Sequence, residues 1–183
     1  MDKRFLEAFL TPKRKTLLGY ELKPFCLKHR IQLAALESPF ALGGAVTAFD
    51  VIIFCKVCSE RPFTFSLSMK EKFYAFRLKK VSYMVEAVES AKSHMRTDAW
   101  PQFWQKDDQS GDGARMSGVP WALSTIANLV KNGVSHDEAI HLPEAYAMWL
   151  STTLSVQDGA KVDILTTEDE ELFDELAKVE EKT

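Results

Sequence analysis

The 183-residue chain has no apolar run long enough to cross a membrane; the longest candidate, Ala45 to Phe54, is closed by Lys56. Its opening, MDKRFLEAFL, lacks the extended apolar stretch of a secretion signal, so a cytoplasmic location is expected. Cysteine is scarce. Three of them, Cys26, Cys55 and Cys58, are too few and too oddly counted for a disulfide framework, in keeping with a reducing compartment. Glycine is scarce as well: Gly43 and Gly44 read as a turn, because the Gly-Lys-Ser/Thr of a phosphate-binding loop does not follow them. Catalytic patterning is also missing. His94, His136 and His141 stand in no recognised nucleophile motif, and Asp107, Asp108 and Asp112 are followed by Arg115 and Met116 where a calcium loop needs a glutamate. A non-enzymatic protein without a cofactor is expected.

What is present is helical periodicity in a chain that is 46% hydrophobic, enough for a real core. The densest stretch of signals runs from Gly118 to Gly159. Ser117 can cap and Pro120 suits a first turn, while Trp121, Leu123, Ile126, Ala127 and Val130 recur at helical spacing before Gly133 stops the helix. Ser135 with Glu138 reads as a capping box, and Pro143 opens a further helix through Ala147, Trp149, Leu150 and Leu154. Upstream, Leu27, Ile31, Ala34 and Ala35 mark a helix from about Lys23 to Pro39, after an extended or tightly turned stretch around Gly19. AVTAFDVIIFCKVCS reads as a buried helix. Ser68 to about Thr97 reads as the longest helix, with Phe73, Tyr74 and Phe76 packed inside rather than stacking bases.

These elements predict an all-α fold, a small helical bundle with a short helical carboxy-terminal module and an acidic tail. Residues 1–105 form an amino-terminal helical body, 106–116 a flexible linker rich in Gly, Ser and Asp, 117–160 the small module and 161–183 the tail. RPFTFSLS, 61–68, alternates enough for one short strand, although an extended loop is the preferred reading. From about Asp163 the tail is expected to be mobile in an isolated monomer and ordered only in an assembly.

The net charge is only -3, but residues 1–30 are basic and the last 21 acidic, so the two ends can attract each other or different partners. KRK at 13–15 forms no aromatic-interleaved stripe, and nucleic-acid binding is set aside. Cys26-x-x-His29 and Cys55-x-x-Cys58 have the spacing of a zinc site. VIIFCKVC, however, is an apolar helical run rather than a turn, and packed cysteines are preferred.

RFLEAFLTPKRKTLLGYELKPFCLKHRIQLAALESPF, DVIIFCKVCS and GVPWALSTIANLVKNGVSHDEAIHLPEAYAMWL resemble small helical proteins of phage and prophage tail modules, especially tail assembly chaperones that act with the tape measure protein. The resemblance implies a non-enzymatic protein of the host cytoplasm whose partners are the tape measure or tube protein, with self-association as a further possibility. The alternative is a virion component, such as a tail completion or head-tail connector protein. For such a role Trp121, Ile126 and Trp149 are the candidate partner contacts, with Leu172, Phe173 and Leu176 of the tail as a second set.

Overall fold

The computed structural model describes residues 3–9, 15–61, 66–95, 99–103, 120–161, 164–165, 168–169 and 172. The chain is mostly helical. In order run α1 (Lys3–Phe9), β1 (Lys15–Leu17), β2 (Tyr20–Leu22), α2 (Leu27–Ala35), α3 (Pro39–Leu42), α4 (Ala48–Cys58), α5 (Met69–Arg77) and α6 (Val81–Met95). They are followed by β3 (Gln102–Phe103), α7 (Trp121–Lys131), α8 (His136–His141), α9 (Glu144–Gln157) and β4 (Ile164–Leu165). The linker expected at 106–116 lies outside the described residues, as do residues 62–65 of the 61–68 stretch.

The all-α expectation misses two short antiparallel pairs. In the first, Lys15 faces Leu22 and Leu17 faces Tyr20. The two-residue turn between them holds Leu18 at φ 49° and Gly19 at φ 69°, the doubly left-handed turn that matches strand twist. A Cβ at Gly19 would sit 2.7 Å from the Tyr74 hydroxyl of α5, the far end of that side chain, so the positive φ is the stronger requirement for glycine here. In the second pair Gln102 faces Leu165 and Phe103 faces Ile164, so these two residues of the acidic end are strand residues held against the body. Arg4 of α1 adds a guanidinium hydrogen bond to the Leu165 carbonyl. Ile164 and Leu165 lie in the segment expected to be a mobile tail, and in this structure they are paired strand residues.

Helix α4 is the central element, and the reason is its composition. Every side chain from Val51 to Cys58 is buried, which is possible only for a helix surrounded on all sides. Its start is set locally, since Thr47 Oγ1 accepts from the Asp50 amide at 3.3 Å while the Thr47 amide donates to Asp50 Oδ2 at 2.8 Å. Phe54 fills the middle, 4.9 Å from the ring of Phe40 and 6.1 Å from that of Phe25. Around it pack Leu17, Leu22, Leu33, Leu78, Ala87 and Ala91. The small Ala87 and Ala91 let α6 approach α4 closely.

Helix α2 is a shared wall. Leu33 belongs to the core around α4, while Leu27 packs with Ala122, Ile126, Leu129, Ala139 and Ala147 of α7–α9. Backbone joins the two regions as well, through a bridge between Cys26 and Pro143 and a 3.0 Å hydrogen bond from the Glu144 amide to the Phe25 carbonyl. A third cluster links Ala8 of α1, Ala99, and Ala145 and Trp149 of α9.

The continuous helix expected from Ser68 to Thr97 is two helices. Neither Pro nor Gly causes the break. After Arg77 the chain tightens through hydrogen bonds from Lys79 to the Phe76 carbonyl and from Lys80 to the Arg77 carbonyl. The tightening turns Leu78 into the core and redirects α6 so that Ala87 and Ala91 face α4. Among the described residues no helix is long and apolar enough to cross a membrane.

Candidate protein-docking surface

The break at Leu78 decides what α5 presents to solvent. Met69, Phe73 and Phe76 stand at i, i+4 and i+7, hence on one face, and that face points outward: they are 82%, 57% and 69% exposed. The expectation that these aromatics pack inside is therefore corrected. Val81 and Val85, at the start of α6, are exposed as well, Val81 to 74%.

The inward side of α5 explains the orientation. Ser68 caps the helix, accepting from the Glu71 amide at 3.3 Å, while the Ser68 amide donates to Glu71 Oε2 at 2.6 Å. Glu71 is buried, ion-paired to the equally buried Lys56 of α4 at 3.1 Å and accepting a hydrogen bond from the Tyr20 hydroxyl. Burial pushes its carboxyl up, but the hydrogen bonds from Tyr20, Ser68 and Lys56 outweigh that and bring it to about 2. Burial, together with the neighbouring Glu71 carboxylate, raises the Tyr20 phenol. With Glu71 and Leu78 turned inward, the aromatic stripe has to face out.

Glu71 is the sole acid from 69 to 80, so its burial leaves the outer surface of this stretch with Lys70, Lys72, Arg77, Lys79 and Lys80. Several lie over rings: Arg77 is 4.7 Å and Lys80 5.3 Å from the Tyr83 ring centre, and Lys79 is 5.8 Å from that of Phe76. Beside them a cleft of about 430 Å³ runs between the β1–β2 turn and Tyr74, Arg77, Tyr83 and Glu86. An apolar strip with a cationic rim and an adjoining groove suits an amphipathic helix of opposite charge.

The residues singled out in the sequence fall elsewhere. Ile126 is buried among Leu27, Ala122 and Leu129, and Trp149 is buried with its indole N–H donating to the Ala99 carbonyl at 2.9 Å. Both are core residues in this structure, which corrects their assignment as partner contacts. Trp121 is partly exposed at the edge of α7, 4.8 Å from the Trp100 ring. Leu172 is helical and 54% exposed, while Phe173 and Leu176 lie outside the described residues. The signal for the α5 face was in the sequence, namely Ser68 and Glu71 as a capping box ahead of apolar residues flanked by five cations.

The proposed ligand set Cys26, His29, Cys55 and Cys58 is buried. Among the described residues, however, no group of three or more His, Cys, Asp or Glu side chains is arranged to hold a metal. Cys55 Sγ is directed at the Leu17 carbonyl, 3.7 Å away, and burial pushes its thiol up to about 12; the Cys58 thiol is raised by the same cause. The Cys26 amide donates to His29 Nδ1 at 3.4 Å, which places the proton of the neutral ring on Nε2. That nitrogen has no hydrogen-bond partner and lies 3.7 Å from Glu60 Oε1.

Burial lowers the His29 imidazole to about 4, against a smaller upward pull from Glu60. A histidine depressed in the folded state contributes stability above its unfolded value, near 6.5, and loses it as the pH falls toward 4. Urea unfolding of wild type and His29→Gln at stepped pH should therefore give a difference that changes by on the order of 3 kcal/mol across this window, with wild type the more acid-sensitive. Parallel pH profiles for the two proteins would refute the assignment.

A second cleft, about 410 Å³, lies between α2 and α4 and is lined by Lys28, Gln32, Leu36, Lys56, Glu60 and Arg61. Its charges are engaged within the protein. Lys56 pairs with Glu71, Glu60 with Lys23 and Lys28, and Arg61 lies 5.1 Å from the Tyr20 ring centre. Comparison of the chain with protein families, curated proteins and solved structures finds no match.

Proposed function

We propose that the protein is a non-enzymatic assembly protein that binds an apolar helical segment of another protein and keeps it from aggregating. The setting is phage or prophage tail assembly in the host cytoplasm, with the tape measure or tube protein as client. The helices act as a small bundle that displays the α5–α6 face, and the acidic end serves as a tail for a second contact. The observation that carries this reading is the outward placement of Met69, Phe73, Phe76 and Val81 beside five cations. Exposed aromatics of this kind add aggregation risk to a lone monomer and become useful only when covered. The quoted likeness of three long segments to tail assembly chaperones supports the setting.

Coexpression with neighbouring tail proteins tests it. The expected result is co-purification with the tape measure or tube protein, reduced by Phe73→Ser with Phe76→Ser while helicity is retained. No complex with either protein would sink the chaperone reading. Recovery in purified particles at fixed copy number would instead favour a tail completion or connector component.

A further inference from the structure

We infer that the α5–α6 face receives the acidic carboxy-terminal segment, residues 168–183, of a second copy of the chain. The inference rests on the face assigned under the proposed function but not on the identity of its client.

The two surfaces are complementary. From 69 to 80 the only acid is Glu71, which is buried against Lys56, so the exposed side of this stretch is purely cationic around Phe73 and Phe76. Residues 168–183 carry eight carboxylates against two lysines, with Leu172, Phe173, Leu176 and Val179 at helical spacing. An acidic amphipathic segment thus offers an apolar stripe for the aromatics and a charged flank for the rim.

Among the described residues the two do not meet. Leu172 is 54% exposed, and Phe73 and Phe76 are exposed in the same molecule, so neither covers the other. The segment leaves the body where β4 is held by β3 and Arg4, beside α1. That is the end of α6 at which His94 and Met95 line a small cavity with Ala8. The docking face lies at the other end of α6, a 15-residue helix about 22 Å long. Unlike surfaces at two ends of one molecule pair between molecules, in a head-to-tail contact.

Sedimentation velocity on the full chain tests this with two variants. The face variant combines Phe73→Ser and Phe76→Ser; the segment variant combines Leu172→Ser, Phe173→Ser and Leu176→Ser. Wild type is expected to associate with rising concentration, and more weakly when ionic strength is raised from about 0.05 to 0.5 M. Each variant alone should associate at least about tenfold more weakly. Mixed, they should form a one-to-one complex, because one supplies an intact segment and the other an intact face. If a variant loses its helical circular dichroism, Lys72→Glu with Lys79→Glu replaces it as the face variant.

A wild type that stays monomeric, or variants that do not complement on mixing, would overturn the inference. A monomeric wild type that still captures the tape measure or tube protein would remove this contact and leave the proposed function standing. Self-association without client capture would do the reverse.

Discussion

Replacing Glu144 by alanine is expected to destabilise the protein by about 3–5 kcal/mol, the usual cost of removing one partner of a buried ion pair. Glu144 is almost wholly buried and is gripped on both oxygens by Arg30, with Nε to Oε1 at 2.8 Å and a terminal nitrogen to Oε2 at 3.0 Å. Arg30 in turn lies over the rings of Phe25, Trp100 and Trp121 at 5.2, 5.9 and 5.7 Å. Removing the carboxylate strands this guanidinium in an aromatic box, with the Phe40 carbonyl at 3.4 Å as a weak remaining acceptor. The loss falls at the joint between α2 and α9, so the region of α7–α9 should loosen from the rest.

Burial raises the Glu144 carboxyl above the ordinary glutamate range while Arg30 pulls it back, which makes the intact pair worth little in net terms although breaking it is costly. Equilibrium urea unfolding of Glu144→Ala, alongside the double variant Arg30→Met with Glu144→Leu, separates these effects. The double variant should recover much of the loss. If Glu144→Ala costs less than about 1 kcal/mol, the pair does not hold α2 to α9.

Glu71→Gln is the second large effect, expected at about 3 kcal/mol near neutral pH. It removes the carboxylate that faces the buried Lys56 ammonium at 3.1 Å, with the Ser66 carbonyl at 3.4 Å as one remaining acceptor. Because the Glu71 carboxyl sits near 2 in the folded protein, below its ordinary 4.5, its stabilisation is present above the ordinary value and lost as the pH falls toward 2. The stability gap between wild type and Glu71→Gln should therefore be widest near neutral pH and close progressively through acid. A gap that stayed constant down to pH 2 would mean that the charge of Glu71 does not hold α5 in place. The same variant should weaken client binding, since the pair is what turns Phe73 and Phe76 outward.

Local chemistry made several boundaries legible. Pro143 stands immediately before α9, Gly133 takes a φ of 91° just after α7, and Ser135 accepts from the Glu138 amide at 3.2 Å ahead of α8. The run from Val51 to Cys58 is helical and buried, as its largely apolar character implied. These features depend on residues within four positions of one another, which the sequence displays directly.

The candidate site was not legible in the same way. The periodicity of Met69, Phe73 and Phe76 establishes that they share a face, but whether anything covers it depends on elements far along the chain. Lys56 ends an apolar run in the sequence, yet the fold buries it because Glu71, fifteen residues later, neutralises it. Ile126 and Trp149 look like exposed anchors in a small module until α2, α1 and Ala99 close over them. The sequence by itself determined the helical character, several helix boundaries and the separation of basic and acidic ends, because these follow from neighbours along the chain. Only the tertiary structure decided which apolar stripe is core and which is surface, since burial is a property of contacts between distant segments.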